Sequence, residues 1–202
     1  MSDAPHFPVS LKLDGRQCLV IGDGREAALR AEALLEARAR VRLVSEKADA
    51  ELLSWAAAHA SPRLSFERRR YRSSDLEGVW LSVLADRDGA LAGEIAADAE
   101  LRQVLFCAVD QPAYCSFTHV ARVTAGALTL AIGTAGRAPA LARRLREIFQ
   151  ALFDDANLGG YVERLAELRE RTPPAERARV LGDAVKTLRF EGRLTFSPGD
   201  GD

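Results

Sequence analysis

A parallel α/β sheet is the fold this chain predicts, and three observations predict it. Strand-like and helix-like segments alternate through the first 113 residues, and the first strand runs through a glycine turn into a helix. The alternation then stops, and two strand-like segments follow with no helix between them. The expected architecture is a Rossmann-like sheet domain over 1–113, a small β-hairpin and helix region over 114–150, and a C-terminal helical segment over 151–202.

The first strand, Cys18-Leu19-Val20-Ile21, enters Gly22-Asp23-Gly24-Arg25-Glu26-Ala27, a Gly-x-Gly-x-x-Ala turn. Gly22 lets the chain turn off the strand, Gly24 lets backbone N–H groups approach a pyrophosphate, and Ala27 lets the helix pack closely on the sheet. The helix start, with Arg25 and Glu26 in its first turn, faces the phosphates with unpaired N–H groups and a partial positive charge. Asp23 is unfavourable beside a pyrophosphate unless its side chain points away. Ala27, Ala28, Ala31, Leu34 and Leu35 fall at helical spacing, and Val41-Arg42-Leu43-Val44 is the second strand. At its end Glu46 is placed to bind the adenosine ribose hydroxyls and favour NAD, while Lys47 beside it tolerates a phosphate.

Ala48 to His59 reads as a second helix carrying Leu52, Leu53 and Trp55, and Leu64-Ser65-Phe66 as a short strand. The run Arg68-Arg69-Arg70-Tyr71-Arg72 reads as a solvated surface. Val79 to Leu84 is a buried strand ending at Ala85-Asp86, followed by a helix with the stripe Leu91, Ile95, Ala96 and Ala99. Val104 to Val109 is a strand ending at Asp110-Gln111-Pro112. Ligands of such sheets bind beyond the carboxyl ends of the strands, where Gly22, Glu46, Asp86 and Asp110 fall. Ser116 to Val123 and Ala127 to Ile132 read as two strands, and Gly133 to Pro139 as a second ligand-contact loop. A helix with Leu141, Leu145, Ile148, Phe149 and Leu152 on one face follows. Two further helical segments come next, the second starting near Thr172-Pro173-Pro174, and Ser197 to Asp202 reads as a frayed tail.

At 202 residues and 48% hydrophobic content the chain can bury a substantial core, and a formal charge of −1 gives no basic field for nucleic acid or an anionic membrane. No apolar run reaches the roughly 18 residues of a membrane span, and Met1 to His6 lacks the features of a signal peptide, so a cytoplasmic protein is expected. Cys18, Cys107 and Cys115, without CxxC spacing, read as buried thiols, and no ligand spacing suggests a permanent metal site.

Taken in order, these motifs resemble the precorrin-2 dehydrogenase family, the N-terminal part of siroheme synthases. The resemblance rests on Leu13-Asp14-Gly15-Arg16, the glycine turn, Cys107-Ala108-Val109-Asp110, Ser116-Phe117, and Pro139-Ala140-Leu141-Ala142-Arg143-Arg144-Leu145-Arg146-Glu147. It covers about residues 7 to 150. It implies an NAD-dependent oxidation of precorrin-2 to sirohydrochlorin, in some members insertion of ferrous iron, and a homodimer formed through the hairpin region. Asp110 matches the family's catalytic aspartate; the other reading is a cap on the Gln111-Pro112 turn. The polycarboxylate substrate calls for fixed cations and hydrogen-bond donors, a need that Arg137, with Arg143 or Arg144 on the helix behind it, fits. Ser116 and His119 are further substrate-binding candidates, His119 as a general base or iron ligand or else as a structural residue. A non-catalytic NAD-sensing module or an inactive scaffold of the same pathway is the alternative expectation.

Overall fold

The computed structural model describes residues 7–195, and the stretches read as signal-free start and frayed tail lie outside them. Five parallel strands form the main sheet: β1 (Gln17–Ile21), β2 (Arg40–Ser45), β3 (Leu64–Arg68), β4 (Leu81–Leu84) and β5 (Leu105–Ala108). Their order is β3-β2-β1-β4-β5, so the connections turn back at β1, which lies between β2 and β4. The Rossmann-like expectation holds. Three helices connect the strands, α1 (Gly24–Glu36), α2 (Ala50–Ala58) and α3 (Gly89–Arg102).

Burial on both faces explains why β1, β4 and β5 are almost continuously apolar. Along β1, Cys18 and Val20 join Ala27 and Ala31 of α1 and Leu52 of α2 in one core cluster. Leu19 and Ile21 point the other way, into a cluster with Ile95 and Ala99 of α3 and Phe106 of β5. Fully burying a side chain of the size of Leu19, Val20, Leu52 or Ile95 stabilises the fold by about 1.5–3 kcal/mol. Ala27 has no exposed surface, as its place in the glycine motif requires.

Aspartates set the starts of two of these three helices. Asp49 accepts from the Leu52 N–H at 2.8 Å, and Asp88 accepts from the N–H groups of Ala90 and Leu91 at 2.9 and 3.1 Å. α3 ends where Gln103 takes a left-handed conformation, φ 54°.

The described residues divide into two compact units, one running to His119 and including 135–137, the other made of 120–134 and the chain from Ala138 onward. The second unit holds the antiparallel pair β6 (Ala121–Ala125) and β7 (Leu128–Ile132), with α4 (Pro139–Asp155), α5 (Leu158–Arg171) and α6 (Arg177–Val185). Among its described residues only Val123, Ala125, Ala142 and Thr172 are buried.

Several boundaries differ from the sequence reading. The strand expected from Ser116 begins at Ala121, because Cys115 and Ser116 are spent along the edge of β5: the Ser116 N–H donates to the Phe106 carbonyl at 2.8 Å. The last helix starts at Arg177, not beside Pro173-Pro174, which lie in the preceding turn. Leu141 is exposed, and Ala142 takes the inward position on α4. Trp80 is outside the core too, its ring covered by the Arg16 guanidinium 3.6 Å away. The arginine run is not simply solvated: Arg69 makes two hydrogen bonds, 2.6 and 2.8 Å, to the buried carboxylate of Asp75.

Candidate functional site

The site is built where β1, β4 and β5 end together. Gly22 leaves β1 with φ 133°, and a Cβ there would lie 3.0 Å from the carbonyl carbon of Ala85. The absent side chain therefore lets the β1 turn pass the end of β4, a packing role beyond the turn expected of it. Gly24, at φ 65°, needs glycine for its left-handed conformation, while a Cβ there would meet only Asp49 Oδ2, at 3.5 Å.

Asp23 occupies the N-cap position of α1 yet forms no side-chain cap. Its carboxylate turns instead to the end of β2, where Oδ1 accepts from the Ser45 hydroxyl and from the Lys47 N–H. Two consequences follow. The charge that would oppose a pyrophosphate is engaged elsewhere, and the first turn of α1 has no side-chain cap, unlike those of α2 and α3. A glycine-lined approach to an uncapped helix start, with the positive end of the helix dipole facing out, fits a dinucleotide pyrophosphate.

A cleft of about 380 Å³ lies against this turn, lined by Glu26, Ala85, Asp86, Arg87, Val109 and Asp110. Its size is within the usual range for small-molecule sites. It unites the predicted Glu26, Asp86 and Asp110, which come from three different connections. Asp110 stands at φ 59°, an uncommon left-handed conformation for a residue with a side chain. Its Oδ2 accepts from the Arg87 guanidinium at 2.6 Å rather than from the turn that follows. That turn is held otherwise, by the Gln111 N–H on the Ala108 carbonyl and by Gln111 Nε2 on the Asp86 carbonyl. The cap alternative for Asp110 therefore has no bond behind it among the described residues.

The other predicted residues are dispersed. Glu26 also pairs with Arg30, at 2.7 Å from Nε, whereas Arg25 is exposed. Glu46 and Lys47 are exposed at the end of β2, and Arg70 donates to Glu46 Oε1 at 2.7 Å. Ser116 is displaced from the cleft by its edge position: its hydroxyl accepts from the Phe106 N–H at 2.8 Å and returns a bond to the Phe106 carbonyl. In this structure the Ser116 hydroxyl closes the sheet edge, and it is not among the residues that line the cleft. His119 packs edge-on to Phe117. Although the residue's surface is exposed, its imidazole is pushed down to about 4 by desolvation of the ring and then by the charge of Arg30, with Glu26 opposing. Arg137 is exposed, in a loop where Ala135 and Gly136 both have positive φ.

Arg87 is the cleft residue the sequence reading missed. The signal was present in Asp86-Arg87-Asp88 just beyond the end of β4, where a side chain can reach a ligand. Among the described residues no group of three or more His, Cys, Asp or Glu side chains is arranged to hold a metal, and no helix is long and apolar enough to cross a membrane.

Curated relatives are siroheme synthases. The chain is 34% identical over 189 residues to siroheme synthase 1 of Klebsiella pneumoniae, matching 92% of this chain and 39% of that one. It is 31% identical over 188 residues to siroheme synthase 1 of Aeromonas hydrophila, 93% of this chain and 38% of the relative. The chain thus spans about two fifths of the length of the curated relatives it matches. A solved structure described as SirC, precorrin-2 dehydrogenase, shares the fold with a TM-score of 0.70 at 24% identity, over 90% of each chain. The family model described as "Putative NAD(P)-binding" matches residues 9–121, from before β1 to the start of β6. That match spans more than half of the chain, and the chain belongs to this NAD(P)-binding family.

Proposed function

We propose that the chain is an NAD-dependent precorrin-2 dehydrogenase of siroheme-type tetrapyrrole biosynthesis. The observation that carries this reading is the cleft: an acidic side chain and an arginine face each other at the carboxyl ends of β4 and β5, beside a glycine turn and uncapped helix start. The names of the relatives and of the solved structure supply the substrate class. When bound, NAD supplies a hydride acceptor, and the balance is precorrin-2 plus NAD⁺ to sirohydrochlorin, NADH and one proton.

In this reading Gly22, Gly24, Arg25 and Glu26 flank the pyrophosphate, with Asp86 beside them, and Glu46 and Lys47 meet the adenosine ribose. Asp110 takes the proton from the tetrapyrrole as the hydride leaves. Arg87 meets a substrate carboxylate, released from Asp110 as the polyanion enters. Arg137, with an exposed guanidinium, is a second contact for the carboxylates.

A homodimer is part of the proposal. The second unit buries few of its own side chains and leaves Val120, Leu128 and Leu141 exposed, which supports a partner surface there. Ferrous iron as a second substrate rests on the resemblance alone. A cytoplasmic setting agrees with three unpaired cysteines.

The test is to incubate the purified protein with precorrin-2 and NAD, with and without ferrous iron. Growth of NADH absorbance in step with the change in the tetrapyrrole spectrum supports the dehydrogenase. NAD binding with no turnover would instead favour a non-catalytic module, and tetrapyrrole binding with no turnover an inactive scaffold.

A further inference from the structure

Beyond the ends of β2 and β3 two opposite charges meet, Glu46 and Arg70. In the register of the two strands Ser45 pairs with Arg68, so Glu46-Lys47 and Arg69-Arg70 run on side by side past the last paired residues. Arg69 is turned away and locked to Asp75. Arg70 reaches back over the end of β2 to Glu46, 2.7 Å away, and its side chain is 82% exposed. On the other side Asp23 holds the Lys47 backbone at 3.2 Å and so ties this corner to the glycine turn. The ion pair at this corner is Arg70 with Glu46, and Lys47 stands next to Glu46 in the chain.

We infer that Arg70 is the residue that decides how the site treats a 2′-phosphate on the adenosine ribose, with Glu46 as its competitor, so that the chain accepts NADP as well as NAD. This rests on the nicotinamide-dinucleotide reading above and adds to it the specificity of the ribose subsite. A 2′-phosphate and Glu46 compete for one guanidinium. An exposed ion pair of this kind contributes little on its own, because both partners are well solvated and screened. A phosphate dianion offers Arg70 more charge and more acceptor oxygens than the single carboxylate it holds, with the fork geometry that guanidinium prefers. Drawing Arg70 from Glu46 therefore costs little and leaves the phosphate between Arg70 and Lys47. With the unphosphorylated ribose Arg70 stays on Glu46, and the free oxygen of that carboxylate remains to accept from the hydroxyls. Removing Glu46 takes a negative charge from the corner; removing Arg70 takes away a positive one.

The experiment is calorimetric titration of the full chain and of the Arg70→Gln and Glu46→Gln variants with NAD, NADP and the fragment 2′,5′-ADP. No turnover is required. Expected are measurable NADP and 2′,5′-ADP binding to the parent, a loss of about tenfold in the NADP-to-NAD affinity ratio in Arg70→Gln, and a gain of similar size in Glu46→Gln. Both variants are at exposed positions, and a melting temperature within a few degrees of the parent checks that they fold. An unchanged ratio in Arg70→Gln, or NAD binding with no detectable NADP binding by the parent, overturns the inference and leaves the dinucleotide site standing. Failure of the parent to bind either nucleotide overturns both.

Discussion

Arg87 and Asp110, 23 positions apart in the chain, form an ion pair of 2.6 Å across the cleft, joining the connections that follow β4 and β5. Both side chains are mostly exposed, so the pair adds little stability and is free to open. In the proposed reading, a pair that opens cheaply suits two groups that meet an incoming polyanion.

The role of Asp110 is tested by separating its charge from its backbone. Asp110→Asn keeps a side chain that tolerates φ 59° and should lower precorrin-2 turnover by about 10²-fold or more, with NAD affinity nearly unchanged. Asp110→Gly should be equally inactive but as stable as the parent or more so, by up to about 1 kcal/mol, since glycine relieves the left-handed strain. Single-turnover rate and melting temperature on the same preparations check this. Full activity in Asp110→Asn would remove proton transfer from its role.

Arg87→Gln should act on binding rather than on chemistry. The expected outcome is a rise of about tenfold in KM for the tetrapyrrole, with kcat changed far less, and a shallower dependence of KM on salt. Stability should stay within about 0.5 kcal/mol of the parent, as for other exposed positions.

The two glycines of the turn should separate stability from binding. Gly22→Ala meets the Ala85 backbone at 3.0 Å and φ 133°, and is expected to cost more than about 2 kcal/mol. Gly24→Ala meets only Asp49 Oδ2 at 3.5 Å, so its cost is about 1–2 kcal/mol of left-handed strain, with a clear loss of NAD affinity. Denaturant melts and calorimetry distinguish the two.

Asp75 should account for part of the acid sensitivity. Burial by itself would raise its pKa, but the Arg69 hydrogen bonds, the Arg72 N–H at 2.9 Å and the charges of Arg69 and Arg42 together hold it below the ordinary 3.8. A depressed carboxylate contributes stability that is complete above its unfolded value and is lost as pH falls through the folded one. Asp75→Asn should cost about 3 kcal/mol at pH 7 and flatten the fall in stability below about pH 4, as read from urea midpoints against pH.

Thiol reactivity should follow burial. Cys18 is pushed up to about 11 by burial, and Cys107 to about 12 by burial and then by the adjacent Cys115. A thiol reagent at pH 8 should label the half-buried Cys115 first and the other two only on unfolding, as mass spectrometry of time points would show.

The sheet was legible in the sequence because its signals are local. Apolar runs such as Leu19-Val20-Ile21 and helical stripes such as Ala27, Ala31 and Leu34 are written within a few residues, and burial on both faces of a parallel sheet admits little else. The glycine turn and the carboxyl-end positions of Asp86 and Asp110 were legible for the same reason. The direction of a side chain among alternative partners was not. Ser116 looked like a strand residue facing substrate, and only the return of the chain along β5 assigned its hydroxyl to Phe106. Arg70 looked like one charge among several until the β2–β3 register set it against Glu46.

The sequence by itself determined the βαβ frame, the glycine turn and the carboxyl-end address of the site, since each depends on periodicity and on residues a few positions apart. Tertiary structure alone decided that Asp23 leaves the helix start uncapped, that Gly22 is needed to clear Ala85, and that Arg87 faces Asp110. The physical reason is that a polar side chain chooses its partner by distance, and distance between residues 20 or more positions apart is set only when the strands have paired.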